Sequence, residues 1–159
     1  NKLRKLKDFG RTGGGNDIHD SIGFNFKFTE LQACIGIEQM KKLPNRIILK
    51  KKIYKKYQEA LKDIDDIKFF KHDFDNTSPW FIDCMVEKRE GLMKHLSANN
   101  IGSRIMYPPL NKQKAYSIDG DHPVSYNIGN KGLWLPSYSQ LSDHEIERIT
   151  NAIKEFYKT

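Results

Sequence analysis

Asn25 and Lys27 stand two residues apart in G-F-N-F-K-F-T-E-L-Q-A, residues 23–33, just ahead of Thr29 and Gln32. In an extended backbone an amide and an ammonium at that spacing share one face, while Phe24, Phe26 and Phe28 share the other and can bury. Thr29 and Gln32 have the spacing of a capping box, so a helix is predicted to start at about Glu30. Two donor side chains beside a helix N-terminus suit an anionic ligand, phosphate above all, because orphan N–H groups and the helix dipole both favour negative charge there. The same pattern also describes an edge strand with a solvated Asn and Lys, and the residues alone leave both readings open.

A second group lies in R-I-M-Y-P-P-L-N-K-Q, residues 104–113. Arg104, Tyr107, Asn111 and Gln113 offer a guanidinium, a phenol and two amides on a strand running into a proline-stiffened loop. Such groups recognise sugars and phosphates by bidentate donation and stacking. An ordinary strand end with turn residues fits the pattern equally well.

Other chemistries find less support. His19, His72, His95, His122 and His144 show no paired ligand spacing, so no metal site is expected. There is no G-x-S-x-G elbow, and Gly13, Gly14 and Gly15 are not followed by G-K-[ST], which sets aside a hydrolase and a phosphate-binding P-loop. Cys34 and Cys84 lie in apolar segments without C-x-x-C spacing, and both are expected to be buried free thiols in a reducing compartment.

The elements that position these residues follow from periodicity. Leu3 and Leu6 place the end of a helix over Lys2–Phe9, and a flexible loop follows from Arg11 to Ser21. From Thr29 a helix carries Leu31, Ala33, Cys34, Ile37 and Met40 until Pro44 ends it. A second helix then runs from about Asn45 to Asp63, so the two form a bent spine. Short strands are predicted at Ile67–Phe70, Trp80–Val86, Arg104–Tyr107 and Leu133–Leu135. Helices are expected at Arg89–Asn99 and Pro123–Asn130, with a turn at Asp119-Gly120. The final helix has Ser142 and Glu145 as its capping box and Ile146, Ile149, Ile153 and Phe156 as its stripe. The fold class is α/β, a small α+β domain with a mainly antiparallel sheet and helices on one face, preceded by a helical spine.

The 159 residues are enough for a real core but short for a complete cofactor-dependent enzyme. No apolar run approaches the roughly 20 residues that cross a bilayer. The net charge of +7 raises nucleic acid as a partner. However, the lysines of Lys41–Lys56 interleave with Ile47, Ile53, Tyr57 and Leu61, as on the wet face of an amphipathic helix. A small basic non-enzymatic module that binds nucleic acid or a protein partner stays open as the alternative to an enzyme.

Three ordered motifs carry a family resemblance. Residues 23–43, G-F-N-F-K-F-T-E-L-Q-A-C-I-G-I-E-Q-M-K-K-L, resemble the G-[YF]-N-[YF]-[RK]-(M/L/F)-[TS]-E-L-Q-A-A-I-G-x-x-Q-L-x-x-L stretch of the DegT/DnrJ/EryC1/StrS sugar aminotransferases. Residues 101–116, I-G-S-R-I-M-Y-P-P-L-N-K-Q-K-A-Y, are similar to that family's I-x-x-R-x-x-Y-x-P-L-H-x-Q-x-x-Y. The stretch L-P-S-Y-S-Q-L-S-D-H-E-I-E-R-I resembles the L-P-x-x-x-x-L-[ST]-x-x-E-x-x-x-V that precedes the family's closing helix.

The resemblance implies a pyridoxal 5'-phosphate enzyme of fold type I, of which this chain resembles the C-terminal portion. It places the lysine that carries the cofactor, the aspartate facing the pyridine nitrogen and the ring-stacking aromatic upstream. No catalytic residue is therefore expected within the chain; Lys2, Lys5 and Lys7 do not take the lysine's role, and the chain alone is expected to be inactive. It implies residues 1–28 as a remnant of the cofactor domain with a cofactor-site arm, 29–63 as the spine and 64–159 as the small domain. Asn25, Lys27 and His19 become cofactor-binding residues acting across a homodimer. Arg104, Tyr107 and Asn111 become substrate-binding residues. Lysine stands at position 27 where arginine is common, and Asn111 where histidine is usual. The implied reaction passes an amino group from glutamate to a nucleotide-linked keto-deoxy sugar. The 4-keto-6-deoxy class of the perosamine synthetases is favoured, in cytoplasmic supply of surface polysaccharide or lipopolysaccharide.

Overall fold

The computed structural model describes residues 1–12, 17–116 and 120–158. The glycine triplet Gly13–Gly15 and Asp119 of the predicted turn lie outside them. The chain divides into two compact units, Asn1–Pro44 and Asn45–Thr159.

In the first unit, helix α1 spans Lys2–Lys7 and α2 begins at Glu30. The prediction carried α1 on to Phe9; it stops two residues earlier because Phe9 and Gly10 have left-handed backbones (φ 57° and 78°), which a right-handed helix cannot absorb. The Lys5 carbonyl accepts from the Asp8 and Gly10 amides at 3.1 and 2.8 Å and closes the end. The capping box at the start of α2 forms as predicted. The Thr29 amide donates to Gln32 Oε1 at 2.9 Å, and the Gln32 amide donates to Thr29 Oγ1 at 3.3 Å.

Two expectations about this unit are corrected. Phe24, Phe26 and Phe28 do not bury: they are 55%, 69% and 67% exposed. Among the described residues of the unit only Gly10 is buried, so there is no apolar layer to receive the rings. Phe24 and Phe26 stack on each other instead, with centroids 5.4 Å apart. Cys34, expected to be buried, is exposed for the same reason.

Pro44 does not end α2, which continues without a break from Glu30 to Ala60. Proline removes one backbone bond, to the Met40 carbonyl, at a cost of about 3 kcal/mol. Burial of Ile53, Tyr54 and Tyr57 further along anchors the helix and offsets that loss. The predicted bent spine of two helices is therefore one helix.

The second unit holds a four-stranded, wholly antiparallel sheet in the order β1-β2-β4-β3. Its strands are β1 (Ile67–Phe69), β2 (Ile82–Val86), β3 (Arg104–Ile105) and β4 (Gly132–Leu135). Helices α3 (Arg89–Ala98), α4 (Pro123–Lys131) and α5 (Asp143–Lys158) complete it. Strand period two sorts the side chains. Ile82, Cys84 and Val86, with register partners Leu135, Leu133 and Ile67, form the apolar face. That face joins one core with Tyr54, Tyr57 and Leu61, Leu92 and Leu96 of α3, and Ile146, Ile149 and Ile153 of α5. Cys84 is buried as expected, and burial pushes its thiol up to about 12.

The lysine-rich part of α2 is less solvated than its spacing suggested. Lys50 Nζ donates to the Trp80 and Ser137 carbonyls, both at 2.5 Å, Lys51 to the Phe74 carbonyl, and Lys56 pairs with Asp143. Burial lowers the Lys50 ammonium's pKa. These cations tie the β1–β2 and β4–α5 connections and the start of α5 to the helix, because aliphatic stems can lie along the core while their heads reach acceptors at its rim.

The capping box of α5 carries a pH prediction. Glu145 accepts from Tyr138 Oη at 2.6 Å and from the Ser142 amide and hydroxyl at 2.8 and 2.7 Å. Those bonds, Tyr138's first, hold its carboxyl at about 2 against an ordinary 4.5. A carboxyl depressed in the folded state stabilises above its unfolded value and loses that contribution as pH falls. Thermal melts of Glu145→Gln should therefore lie below wild type by a constant margin near neutrality, and the gap should narrow between pH 4.5 and about 2.

Candidate functional site

The three residues assigned to cofactor binding converge on one turn in the first unit. His19 Nδ1 lies 2.7 Å from the Phe9 carbonyl, and since a carbonyl only accepts, that nitrogen carries the proton. Asn25 forms an antiparallel bridge with Asp8. Lys27 Nζ sits 3.3 Å from Asp8 Oδ1 and 4.4 Å from the centroid of the Phe9 ring. Asp8 also accepts from Arg11 at 2.5 Å, and Arg11 reaches Asp17 at 2.9 Å. The Arg11 guanidinium, then Lys27, hold the Asp8 carboxyl below its usual range, and Asp8 in turn raises Arg11.

Two glycines make this crossing possible. A Cβ on Gly23 would lie 2.0 Å from the Gly10 nitrogen, and one on Gly10 would lie 1.8 Å from the Ser21 carbonyl oxygen. Close backbone approach lets the Phe24 and Phe26 amides donate to the Leu6 and Lys7 carbonyls at 2.7 and 2.9 Å. The segment carrying Asn25 and Lys27 is thus pinned to the end of α1. Sequence reading missed Asp8, Phe9 and Arg11 because only the reversal of the chain makes them neighbours of Lys27.

The second group lies on the face of the sheet opposite the core. Register places Asp83, Trp134 and Arg104 in one row across β2, β4 and β3. Phe81 stacks on Trp134 at 4.2 Å and 15°, and Tyr107 meets Trp134 edge-on at 5.0 Å. The Arg104 guanidinium lies 5.6 Å from the Tyr107 centroid and 5.5 Å from that of Trp134. Arg104 and Tyr107 are thus brought together and exposed, on an aromatic floor the sequence reading did not include.

Asn111 makes its contact elsewhere: its amide donates to Tyr126 Oη at 2.6 Å, with Lys112 Nζ 4.9 Å from the Tyr126 centroid. Asn111 lies in a short 3-10 turn, Leu110–Lys112, that follows the two prolines. Among the described residues no group of His, Cys, Asp and Glu could hold a metal ion, and no helix is long and apolar enough to cross a membrane.

The chain is 29% identical over 143 residues to the GDP-perosamine synthase of Escherichia coli O157:H7, covering 87% of this chain and 39% of that protein. It is 27% identical over 164 residues to the GDP-perosamine synthase of Vibrio cholerae, covering 98% and 45%. A crystal structure of a DegT DnrJ EryC1 StrS aminotransferase from Brucella abortus superposes with a TM-score of 0.87 at 30% identity, covering 99% of this chain and 43% of that one. The chain therefore spans less than half the length of these relatives. The model of the DegT/DnrJ/EryC1/StrS aminotransferase family matches residues 1–154, and the chain belongs to that family.

Proposed function

We propose that this chain is the C-terminal portion of a cytoplasmic, pyridoxal 5'-phosphate-dependent aminotransferase. It would pass an amino group from glutamate to the keto carbon of a nucleotide-linked 4-keto-6-deoxy sugar destined for a surface glycan. Residues 1–28 would serve as the arm, 29–63 as the spine and 64–159 as the small domain of a homodimer whose cofactor site is shared. The observation that carries this reading is the convergence of His19, Asn25 and Lys27 on the Asp8–Phe9 turn, ahead of the capped start of α2.

The donor set fits the anionic end of the cofactor. Asn25 would donate its amide and Lys27 its ammonium to the phosphate, and His19 would line the same cleft. Asp8 already has Arg11 at 2.5 Å, so its charge is answered by a second cation before Lys27 reaches it. When bound, pyridoxal phosphate supplies the electron sink that lets an amino group move between carbon skeletons. Arg104 would hold the diphosphate of the sugar nucleotide and Tyr107 would stack on its ring system. Asn111, paired with Tyr126, would shape the loop beside them. The GDP-perosamine synthases of Escherichia coli O157:H7 and Vibrio cholerae, both similar to this chain, favour guanosine as the nucleotide.

The basic alternative is weakened by Lys50, Lys51 and Lys56, which are engaged within the chain and so are not a phosphate-tracking stripe. To test the reading, the full-length protein is incubated with pyridoxal phosphate, glutamate and a GDP-linked 4-keto-6-deoxyhexose, with the 3-keto isomer as control. We expect a bound-cofactor absorbance band and an aminated sugar nucleotide by mass spectrometry. Failure to bind the cofactor, or turnover of neither keto sugar, would refute it.

A further inference from the structure

Phe9 is a bulky residue in the left-handed region, φ 57°, where the Cβ crowds the following carbonyl. Nothing in the local sequence demands that conformation of a phenylalanine, and a residue kept in a strained backbone asks what the strain holds in place. Here it holds three things. The Phe9 amide donates to the Phe24 carbonyl at 3.1 Å, which ties the turn to the arm. Its carbonyl receives His19 Nδ1 at 2.7 Å. Its ring faces the Lys27 ammonium at 4.4 Å, while Asp8 Oδ1 approaches the same ammonium at 3.3 Å.

From this geometry we infer that Phe9 is a positioning residue for Lys27: its ring and the Asp8 carboxylate clamp the ammonium so that a single point charge presents itself in one place. The physical need follows from the residue at position 27. A guanidinium carries its own planar fork, whereas a lysine ammonium on a four-carbon stem has no preferred direction and gains one only from its surroundings. A ring face attracts a cation through its quadrupole and offers it no competing donor or acceptor, so the ammonium's remaining protons stay available to an anion. The carbonyl bond to His19 adds a second functional side chain to the same turn. This inference rests on the reading of Lys27 as a contact to the cofactor phosphate.

The test uses the full-length enzyme, stripped of cofactor and titrated separately with pyridoxal phosphate and with pyridoxal, which lacks the phosphate. The ratio of the two affinities isolates the phosphate contact from everything else that holds the ring. Thermal melts of the cofactor-free protein run in parallel. Phe9→Gly relieves the backbone strain, so a purely structural role predicts an unchanged or raised Tm and an unchanged ratio. We expect the Tm to hold or rise while the phosphate-dependent ratio falls about two- to five-fold, the range of an exposed cation–π contact. Phe9→Tyr, which keeps the ring and the strain, should restore the wild-type ratio. Lys27→Ala serves as the reference. If Lys27→Ala lowers the ratio and Phe9→Gly does not, or if Phe9→Tyr lowers it as much as Phe9→Gly, the positioning role is overturned while Lys27 keeps its assignment. If Lys27→Ala itself leaves the ratio unchanged, the phosphate contact fails and the clamp fails with it.

Discussion

Gly23→Ala is expected to detach the arm that carries Asn25 and Lys27 while leaving the sheet unit folded. The added methyl would sit 2.0 Å from the Gly10 nitrogen and 2.5 Å from the Phe9 carbonyl carbon, both backbone atoms that cannot swing aside as a side chain would. Relief requires the two strands of chain to part, which breaks the Phe24 bond to Leu6 and the Phe26 bond to Lys7. The local cost is on the order of 3 kcal/mol or more, in the class of strained or clashing backbone sites. Among the described residues every core residue lies within residues 53–153, so the sheet unit is expected to keep its core. Hydrogen exchange should show Phe9, Phe24 and Phe26 amides losing protection and the Ile82–Val86 and Gly132–Leu135 amides keeping theirs. Equal loss of protection across the sheet would contradict a locally pinned arm. Gly10→Ala should be worse, since it adds a φ of 78° to its own clash with the Ser21 carbonyl.

Trp134→Ala should produce the largest loss of global stability of any single truncation on the sheet. Trp134 is only 7% exposed although it lies on the face away from the core, because Phe81 stacks on it and Tyr107 closes its edge. Truncating a buried Trp or Phe typically costs about 3–5 kcal/mol, from lost transfer and the cavity left behind. The same change removes one of the two rings beneath Arg104. Urea unfolding should show a lower midpoint with a similar slope. In the full-length enzyme, affinity for the sugar nucleotide should fall as well, while Trp134→Phe should recover part of both. A midpoint unchanged by Trp134→Ala would show that the stack contributes nothing.

Several elements were legible because their information is local. The two capping boxes need only a hydroxyl and an acceptor three residues apart, and both formed, at Thr29–Gln32 and Ser142–Glu145. The stripe of α5 and the strands at Ile67 and Ile82 followed from period and β-propensity. Pro44 misled for an equally clear reason: proline's penalty is a local term, and anchoring of the helix at Ile53, Tyr54 and Tyr57 outweighed it. Phe24, Phe26 and Phe28 alternate as rings that bury, yet alternation says which face they share and nothing about whether a layer exists to cover it.

What this sequence determined by itself, then, was its strands and, apart from the unbroken α2, its helices to within a few residues, the pairing of Asn25 with Lys27 and of Arg104 with Tyr107, and the family to which those motifs point. Tertiary structure alone decided that Asp8 and Phe9 grip Lys27, that Trp134 lies beneath Arg104 with Phe81 stacked on it, and that Asn111 turns to Tyr126. The division has a physical cause. Contacts within one turn or one strand are written in residue spacing, whereas Asp8 meets Lys27, and Phe81 meets Trp134, only after a chain reversal or a strand pairing has brought distant residues together.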